Sequence, residues 1–331
     1  MSIRADASPV FDSLKEQIVR RTTEYFPDLG SVENISLSGT YQRTYSVIYF
    51  LKLRGANQKT RGLVVKICKD AAAQYMHMMQ IWPAFKDVAE LKIPRPLDLF
   101  ENDSALVMEE AAGIPLTKTL PRVWWSNDRL AESVMRCERA GHWLRFYHDL
   151  GDVRESEDTN MDVTLKDLEE AAEDLQASAF DAGPFRKVLR SCQNSKATFA
   201  TKRFFVANLH GDFKLDNIIV DETSVTVLDI CGAFRNTTDL DVAAFVNSIL
   251  MLRLTQFLPW PAIDSMKSGF LRGYFVGREP DALRILLLQI IGLAAITIEI
   301  GQRRSGIGRF WLESTLKNIV EKLAGDVRRI L

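Results

Sequence analysis

The stretch LHGDFKLDNIIV, residues 209–220, sets a histidine, two aspartates, a lysine and an asparagine directly against a run of strand formers. A loop in water carries such charges at little cost, whereas a strand entering a core does not. Two readings compete: a solvated turn ahead of a strand, or charges that converge on something charged. The following residues bear on the choice. NIIVDETSVTVLDI, residues 217–230, holds two β-rich runs, Asn217–Val220 and Val225–Leu228, around the turn formers Asp221, Glu222, Thr223 and Ser224.

A hairpin centred on Thr223 sets Asn217 opposite Asp229, and opposed side chains in such a ladder lie about 5 Å apart. An amide oxygen and a carboxylate at one end of a hairpin can share a hard divalent cation, and Mg²⁺ takes a few such oxygens together with phosphate and water. Asp212, in the loop feeding the strand, can accept a proton from a hydroxyl next to that cation. Lys214, two residues on, can neutralise phosphate charge. The expected catalytic pair is therefore Asp212 and Lys214, with Asn217 and Asp229 as metal ligands.

The pattern His-Gly-Asp-x-x-x-x-Asn, then a strand pair ending in Asp, is made here by His210, Gly211, Asp212, Asn217 and Asp229. It resembles the catalytic loop of the aminoglycoside phosphotransferase and choline kinase-like family. The resemblance implies an α+β, bilobal, protein-kinase-like fold: a small β-rich N-terminal lobe with one helix, and a larger, mainly helical C-terminal lobe. It implies ATP and Mg²⁺ as cofactors, Asp212 as base, and His210 as a structural pin of the loop.

Other segments extend the resemblance in chain order. Lys66 in LVVKIC is similar to the strand lysine that pairs the ATP phosphates; taken alone, it also reads as a strand-edge lysine with its ammonium in water. ISLSGTYQRTYSVIYFLKLRG alternates like a hairpin with Ser38, Gly39 and Thr40 near its turn. By resemblance that turn would cover the phosphates with backbone N–H groups, although an ordinary turn reads the same way. IPRPL followed by ALVMEEAAGIPL looks like the last small-lobe strands and a hinge, where the backbone of Glu109 and Ala111 would meet adenine. TDLDVAAF offers Asp241 as the carboxylate that anchors the loop, or simply as a helix cap. His148 reads as a packed core or helix-end histidine.

Two departures stand out. The helix after Lys66 should carry a glutamate for that lysine, and Gln74 is found there. The residues after Asp229 are Ile230, Cys231 and Gly232, without the usual aromatic.

Helical periodicity is expected over about residues 10–27, with Phe11, Leu14, Ile18 and Val19 on one face, and over AAAQYMHMMQIW, ended by Pro83. The chain then divides into an N-terminal nucleotide-binding lobe, residues 1–110, and a helical lobe, 111–331, that carries the catalytic loop and acceptor site. ILLLQIIGLAAITI is too short for a span of roughly 20 residues and contains Gln289, so a buried core helix is the reading.

The 331 residues are 47% hydrophobic and 26% charged, with a net charge of −1, which gives no electrostatic case for nucleic acid. Four scattered cysteines, no CxxC pair and no apolar leader suggest reduced thiols in a cytoplasmic protein. Between Asp149 and Asp174 stand eleven acidic and two basic residues, either a wall for a cationic acceptor or a solvated helix face. Trp124 and Trp125 either shape the acceptor pocket or sit in the core.

The expected activity is transfer of a γ-phosphate to a hydroxyl of a small molecule such as a sugar, amino alcohol or aminoglycoside. The alternatives are a nucleotide-binding pseudokinase with a regulatory role, which Gln74 favours, and an atypical protein kinase. Only eleven residues separate Asp229 from Asp241, too few for a peptide-binding activation segment. The sequence leaves the oligomeric state open.

Overall fold

The computed structural model describes residues 9–331 except 44, 101–103, 121–125, 152, 157–160, 196–203, 232–233 and 303–305, and Trp124 and Trp125 therefore lie outside the described residues. The chain divides into two units, Met1–Gly113 with Ile219–Gly232, and Ile114–Ile218 with Ala233–Leu331. The hairpin that carries Asp229 thus belongs with the N-terminal unit and not, as expected, with the helical one.

The first unit opens with α1 (Pro9–Tyr25), followed by β1 (Val32–Gln42), β2 (Ser46–Gly55), β3 (Thr60–Cys68), α2 (Ala71–Phe85), β4 (Leu91–Lys92), β5 (Pro96–Phe100) and β6 (Ala105–Glu109). Five of these strands form one antiparallel sheet in the order β1-β2-β3-β6-β5. Alternation sets its faces. Leu51 and Leu53, Leu63 and Val65, and Ala105 and Val107 point to one face and are buried there with Leu14, Ile18 and Tyr25 of α1. Val19, expected on that helix face, is exposed instead, because the stripe runs 14, 18, 22, 25. Lys66 follows Val65 and so projects from the opposite face, cross-strand from Ile48 and Leu106. The Tyr25 hydroxyl donates to Asp98, and Arg21 pairs with the same carboxylate at 2.6 Å, which ties α1 to β5.

Two local expectations are corrected. Ser38, Gly39 and Thr40 do not make the β1–β2 turn: Gly39 pairs with Phe50 and Thr40 with Tyr49, and the strands continue to Gln42 and Val47. The register shift between Leu37 and Gly39 is a bulge, where a glycine fits without a turn. Pro83 does not end α2, which runs on to Phe85. A proline deletes only its own N–H bond, and so close to the helix end little is lost.

The second unit begins with β7 (Ile114–Pro115), α3 (Leu116–Thr119), α4 (Asn127–Asp149), β8 (Arg154–Ser156), α5 (Met161–Ala177), α6 (Gly183–Asn194) and β9 (Phe204–Asn208). The chain then makes a 3₁₀ turn at Leu215–Asn217 and the hairpin β10 (Ile218–Val220) and β11 (Val225–Val227), which returns to the first unit and sets β11 parallel to β4. It resumes with β12 (Arg235–Thr237), α7 (Asp239–Leu250), α8 (Leu252–Thr255), α9 (Trp260–Tyr274), α10 (Ala282–Gln302) and α11 (Gly306–Ile330). Strands β12, β9 and β8 form a small antiparallel sheet.

Helices α4 and α9 approach each other closely. A Cβ on Gly141 would collide with the Phe270 carbonyl, and one on Gly273 with the Glu138 carbonyl. In α5 the acidic residues 162, 167, 169, 170, 173 and 174 face solvent while Leu165, Leu168, Ala172 and Leu175 are buried, so the acidic run is a solvated face there. Helix α10 has the length and apolar composition of a membrane span, yet 61% of its apolar window is buried inside the protein, as a core helix requires. Cys137 and Cys192 are buried.

Candidate active site

In the second unit the expected residues Asp212, Lys214 and Asn217 lie on a loop between two strand ends. Strand β9 ends at Asn208, Gly211 turns the chain at φ +83°, and the 3₁₀ turn ends at Asn217. A left-handed φ costs glycine nothing and a β-carbon residue 1 kcal/mol or more.

Asp241, at the start of α7, anchors this loop. Its Oδ2 accepts the His210 backbone N–H at 2.7 Å and its Oδ1 accepts that of Gly211 at 3.0 Å. His148, near the end of α4, places Nε2 3.0 Å from the same Oδ2 and Nδ1 2.9 Å from the Tyr274 hydroxyl. A carboxylate only accepts, so Nε2 carries the proton of that bond. Burial opposes ionisation of Asp241, but hydrogen bonding from His148 and charge on His148 and His210 hold the carboxyl below its usual range. Asp241 is thus the anchor rather than a mere helix cap, and His148 is part of that anchor.

The His210 ring is fully buried against Trp143, Tyr147 and Phe213, edge to face, with centroids 5.5–6.3 Å apart. Its Nδ1 accepts the Asp212 backbone N–H at 3.3 Å. His210 therefore pins the loop between aromatic rings, as expected.

Asp212 emerges half-exposed from this frame. Its Oδ2 accepts Lys214 Nζ at 2.6 Å and Asn217 Nδ2 at 2.9 Å. Asn217 Nδ2 also donates to the Asp212 carbonyl at 2.9 Å, so the amide nitrogen is committed to Asp212. The loop thus brings together the three expected residues Asp212, Lys214 and Asn217.

The other expected site residues, Lys66 and Asp229, belong to the first unit. Lys66 Nζ, largely buried, is bonded directly to Asp229 Oδ1 and donates to Gln74 Oε1 at 2.8 Å. Asp229 takes a left-handed φ of 61°, a conformation aspartate adopts more readily than most residues. Neither Asn217 nor Asp229 sits in the hairpin ladder, so cross-strand pairing does not set their positions as expected. The strands cover only Ile218–Val220 and Val225–Val227, and the turn closes on Asp221 and Ser224, one residue short of the expected register. Asp221 causes this, because its carboxylate accepts the N–H groups of Thr223 and Ser224 at 2.8 and 2.6 Å.

Ser38 Oγ donates to the Phe50 carbonyl at 3.0 Å, which leaves Ser38, Gly39 and Thr40 within paired strand. The Glu109 backbone N–H is donated to the Arg95 carbonyl at 3.0 Å, while Ala111 lies beyond the end of β6. Arg43, not anticipated from the sequence, stands at the true β1–β2 turn with Nη1 3.9 Å from Asp229 Oδ2.

The Asn217 amide oxygen and the Asp229 carboxylate are ligand types that suit Mg²⁺.

Residues 38–283 match the sequence profile of the phosphotransferase enzyme family, APH. No curated protein sequence matches the chain significantly. Among solved structures the chain is similar to a choline/ethanolamine kinase family protein from Mesorhizobium loti, with TM-score 0.54, 13% identity and 97% of this chain and 99% of that one covered. It is also similar to wild-type aminoglycoside 2'-phosphotransferase-IIIa in its GDP complex, with TM-score 0.53, 14% identity, and 95% and 98% covered. Amicoumacin kinase hAmiN, in complex with AMP-PNP, Ca²⁺ and Ami, gives TM-score 0.52, 12% identity, and 94% and 96% covered. At such identities the likeness shows the shared kinase-like α+β fold, whereas the profile covers most of the chain. The chain belongs to the phosphotransferase enzyme family.

Proposed function

We propose that this protein transfers the γ-phosphate of ATP to a hydroxyl of a small molecule, with a sugar or other polyol as the default acceptor class. One observation carries the reading. A buried Asp241 fixes the backbone of His210 and Gly211, and the loop beyond it presents a carboxylate that accepts from both an ammonium and an amide.

Lys66 and the β-sheet backbone hold the nucleotide phosphates. The backbone of Ser38, Gly39 and Thr40 would cover them, and the backbone of Glu109 and Ala111 would meet the adenine edge. Asn217 and Asp229 hold Mg²⁺, which, when bound, neutralises charge on the transferring group. Asp212 orients the acceptor hydroxyl and takes its proton as the new O–P bond forms and the bond to the leaving ADP oxygen breaks. Lys214, paired with Asp212 at 2.6 Å in the free protein, stabilises the transferring phosphoryl in this reading. Positioning and charge neutralisation supply most of the rate in such transfers. Structural neighbours support a nucleotide and a divalent cation: one is in complex with AMP-PNP and Ca²⁺ and another with GDP.

The acidic run on α5 argues against a cationic acceptor as the default, because its acids face solvent. The test is ATP consumption across a panel of sugars, amino alcohols and aminoglycosides, with Asp212→Asn as control. Turnover on one acceptor, lost by about 10³-fold in the variant while ATP binding persists, is the expected result. Nucleotide binding without turnover on any acceptor would overturn it in favour of a regulatory pseudokinase.

A further inference from the structure

The lysine that meets the phosphates has no glutamate on the neighbouring helix. What replaces it is a closed ring of four residues. Lys66 Nζ donates to Gln74 Oε1 at 2.8 Å, Gln74 Nε2 donates to Cys231 Sγ at 3.8 Å, and the Cys231 thiol donates to the Asp229 carbonyl at 3.5 Å. Asp229 closes the ring through its carboxylate on Lys66. Every donor in the ring faces an acceptor.

The amide of Gln74 has two orientations of nearly equal shape. In one, its oxygen faces the Lys66 ammonium. In the other, its NH₂ faces the ammonium, donor against donor, and Lys66 loses a ligand. Lys66 and Gln74 are each 8% exposed, so water does not easily repair the wrong orientation. A sulfur on the NH₂ side rewards the productive orientation. A neutral amide also adds no second negative charge beside an ammonium that Asp229 already pairs.

We propose that Cys231 is a positioning residue for nucleotide binding, turning the Gln74 amide so that its oxygen holds Lys66 toward the phosphates. The inference rests on the reading of this site as a nucleotide site.

The test is calorimetric titration of AMP-PNP with Mg²⁺ into the full-length wild type, Cys231→Ala, Cys231→Ser, Gln74→Ala and the double variant Cys231→Ala/Gln74→Ala, each checked for an unchanged melting transition. Cys231→Ala should weaken AMP-PNP about fivefold, and Gln74→Ala about tenfold. Serine both donates and accepts, so Cys231→Ser should recover at least half of the loss. Because Cys231 acts through Gln74, the double variant should bind no more weakly than Gln74→Ala. Purely structural packing would instead leave Cys231→Ser as weak as Cys231→Ala and make the double variant additive, and either result overturns the proposal. So does a Cys231→Ala variant that binds like the wild type. A wild type that binds no AMP-PNP would overturn the nucleotide reading itself, and this proposal with it.

Discussion

His148 Nε2 lies 3.0 Å from Asp241 Oδ2, and the two side chains are almost completely buried. The same Asp241 oxygen holds the His210 backbone N–H, so α4 and α7 jointly fix the loop that presents Asp212. Asp241→Asn should deprive both loop N–H groups of a charged acceptor, set one of them against the amide NH₂, and let the loop shift. Such misplacement costs on the order of 10²-fold in turnover. His148→Ala should cost about 10-fold and lower the melting temperature, because it leaves a buried carboxylate short of one donor. Steady-state kinetics and thermal denaturation of both variants check this. Full activity in Asp241→Asn would contradict an anchoring role.

Arg43 reaches Asp229 at 3.9 Å from the β1–β2 turn, with its side chain 39% exposed. At that distance and exposure the pair is weak and screened by salt. Its expected role is to add positive charge beside Lys66 when nucleotide arrives. Arg43→Ala should raise the KM for ATP about threefold to fivefold at low salt, with kcat unchanged and the difference shrinking as salt rises. Arg43→Lys should keep most of the affinity. A salt-independent loss would point to a structural role.

The Gly141 and Gly273 contacts make the α4–α9 crossing a second constraint on the site, since these helices deliver His148 and Tyr274. Gly273→Ala would drive a methyl into the Glu138 carbonyl, and backbone cannot yield as a flexible side chain does. The expected cost is about 2–4 kcal/mol, with turnover falling further than nucleotide affinity, because the strain is applied to the Asp241 anchor and not to Lys66. Denaturant titration and the kcat against KM split measure both parts.

What the sequence revealed was whatever lies close along the chain. His210, Asp212, Lys214 and Asn217 fall within eight positions, so their meeting needs only one tight loop. Gln74 and Lys66 were legible as neighbours because a strand and the next helix must pack. The rest was set by contacts that no spacing encodes. His148 meets Asp241 across 93 positions, and Cys231 meets Gln74 across 157. The hairpin register was misjudged by one because the Asp221 side chain, rather than strand propensity, closes the turn. The β1–β2 turn was misplaced because Gly39 reads as a turn former, whereas here it sits at a bulge in a longer ladder. Arg43 escapes notice in the sequence for the same reason: a turn placed at Gly39 removes the true tip from view.

Asp239 opens α7 beside Asp241 but differs in character. Burial lifts its carboxyl to about 7 from 3.8, while Arg284 pulls it down and Asp281 pushes it up. The native state therefore binds a proton more tightly than the unfolded chain does. Stability from this group is fully present below the unfolded value near 3.8 and is lost as pH rises toward about 7, beyond which it stays flat. Asp239→Asn removes the buried charge and keeps the shape. The variant should melt at nearly the wild-type temperature near pH 4 and several degrees above it near pH 8. Thermal denaturation across that range at fixed ionic strength separates this from a general effect, which would shift the curve equally at every pH. Asp241→Asn should behave in the opposite way, destabilising most where the wild-type carboxylate is ionised, because its folded value is depressed. Two acids two residues apart on one helix end would then report opposite pH slopes, one from burial of an ill-matched charge and one from a carboxylate held by donors.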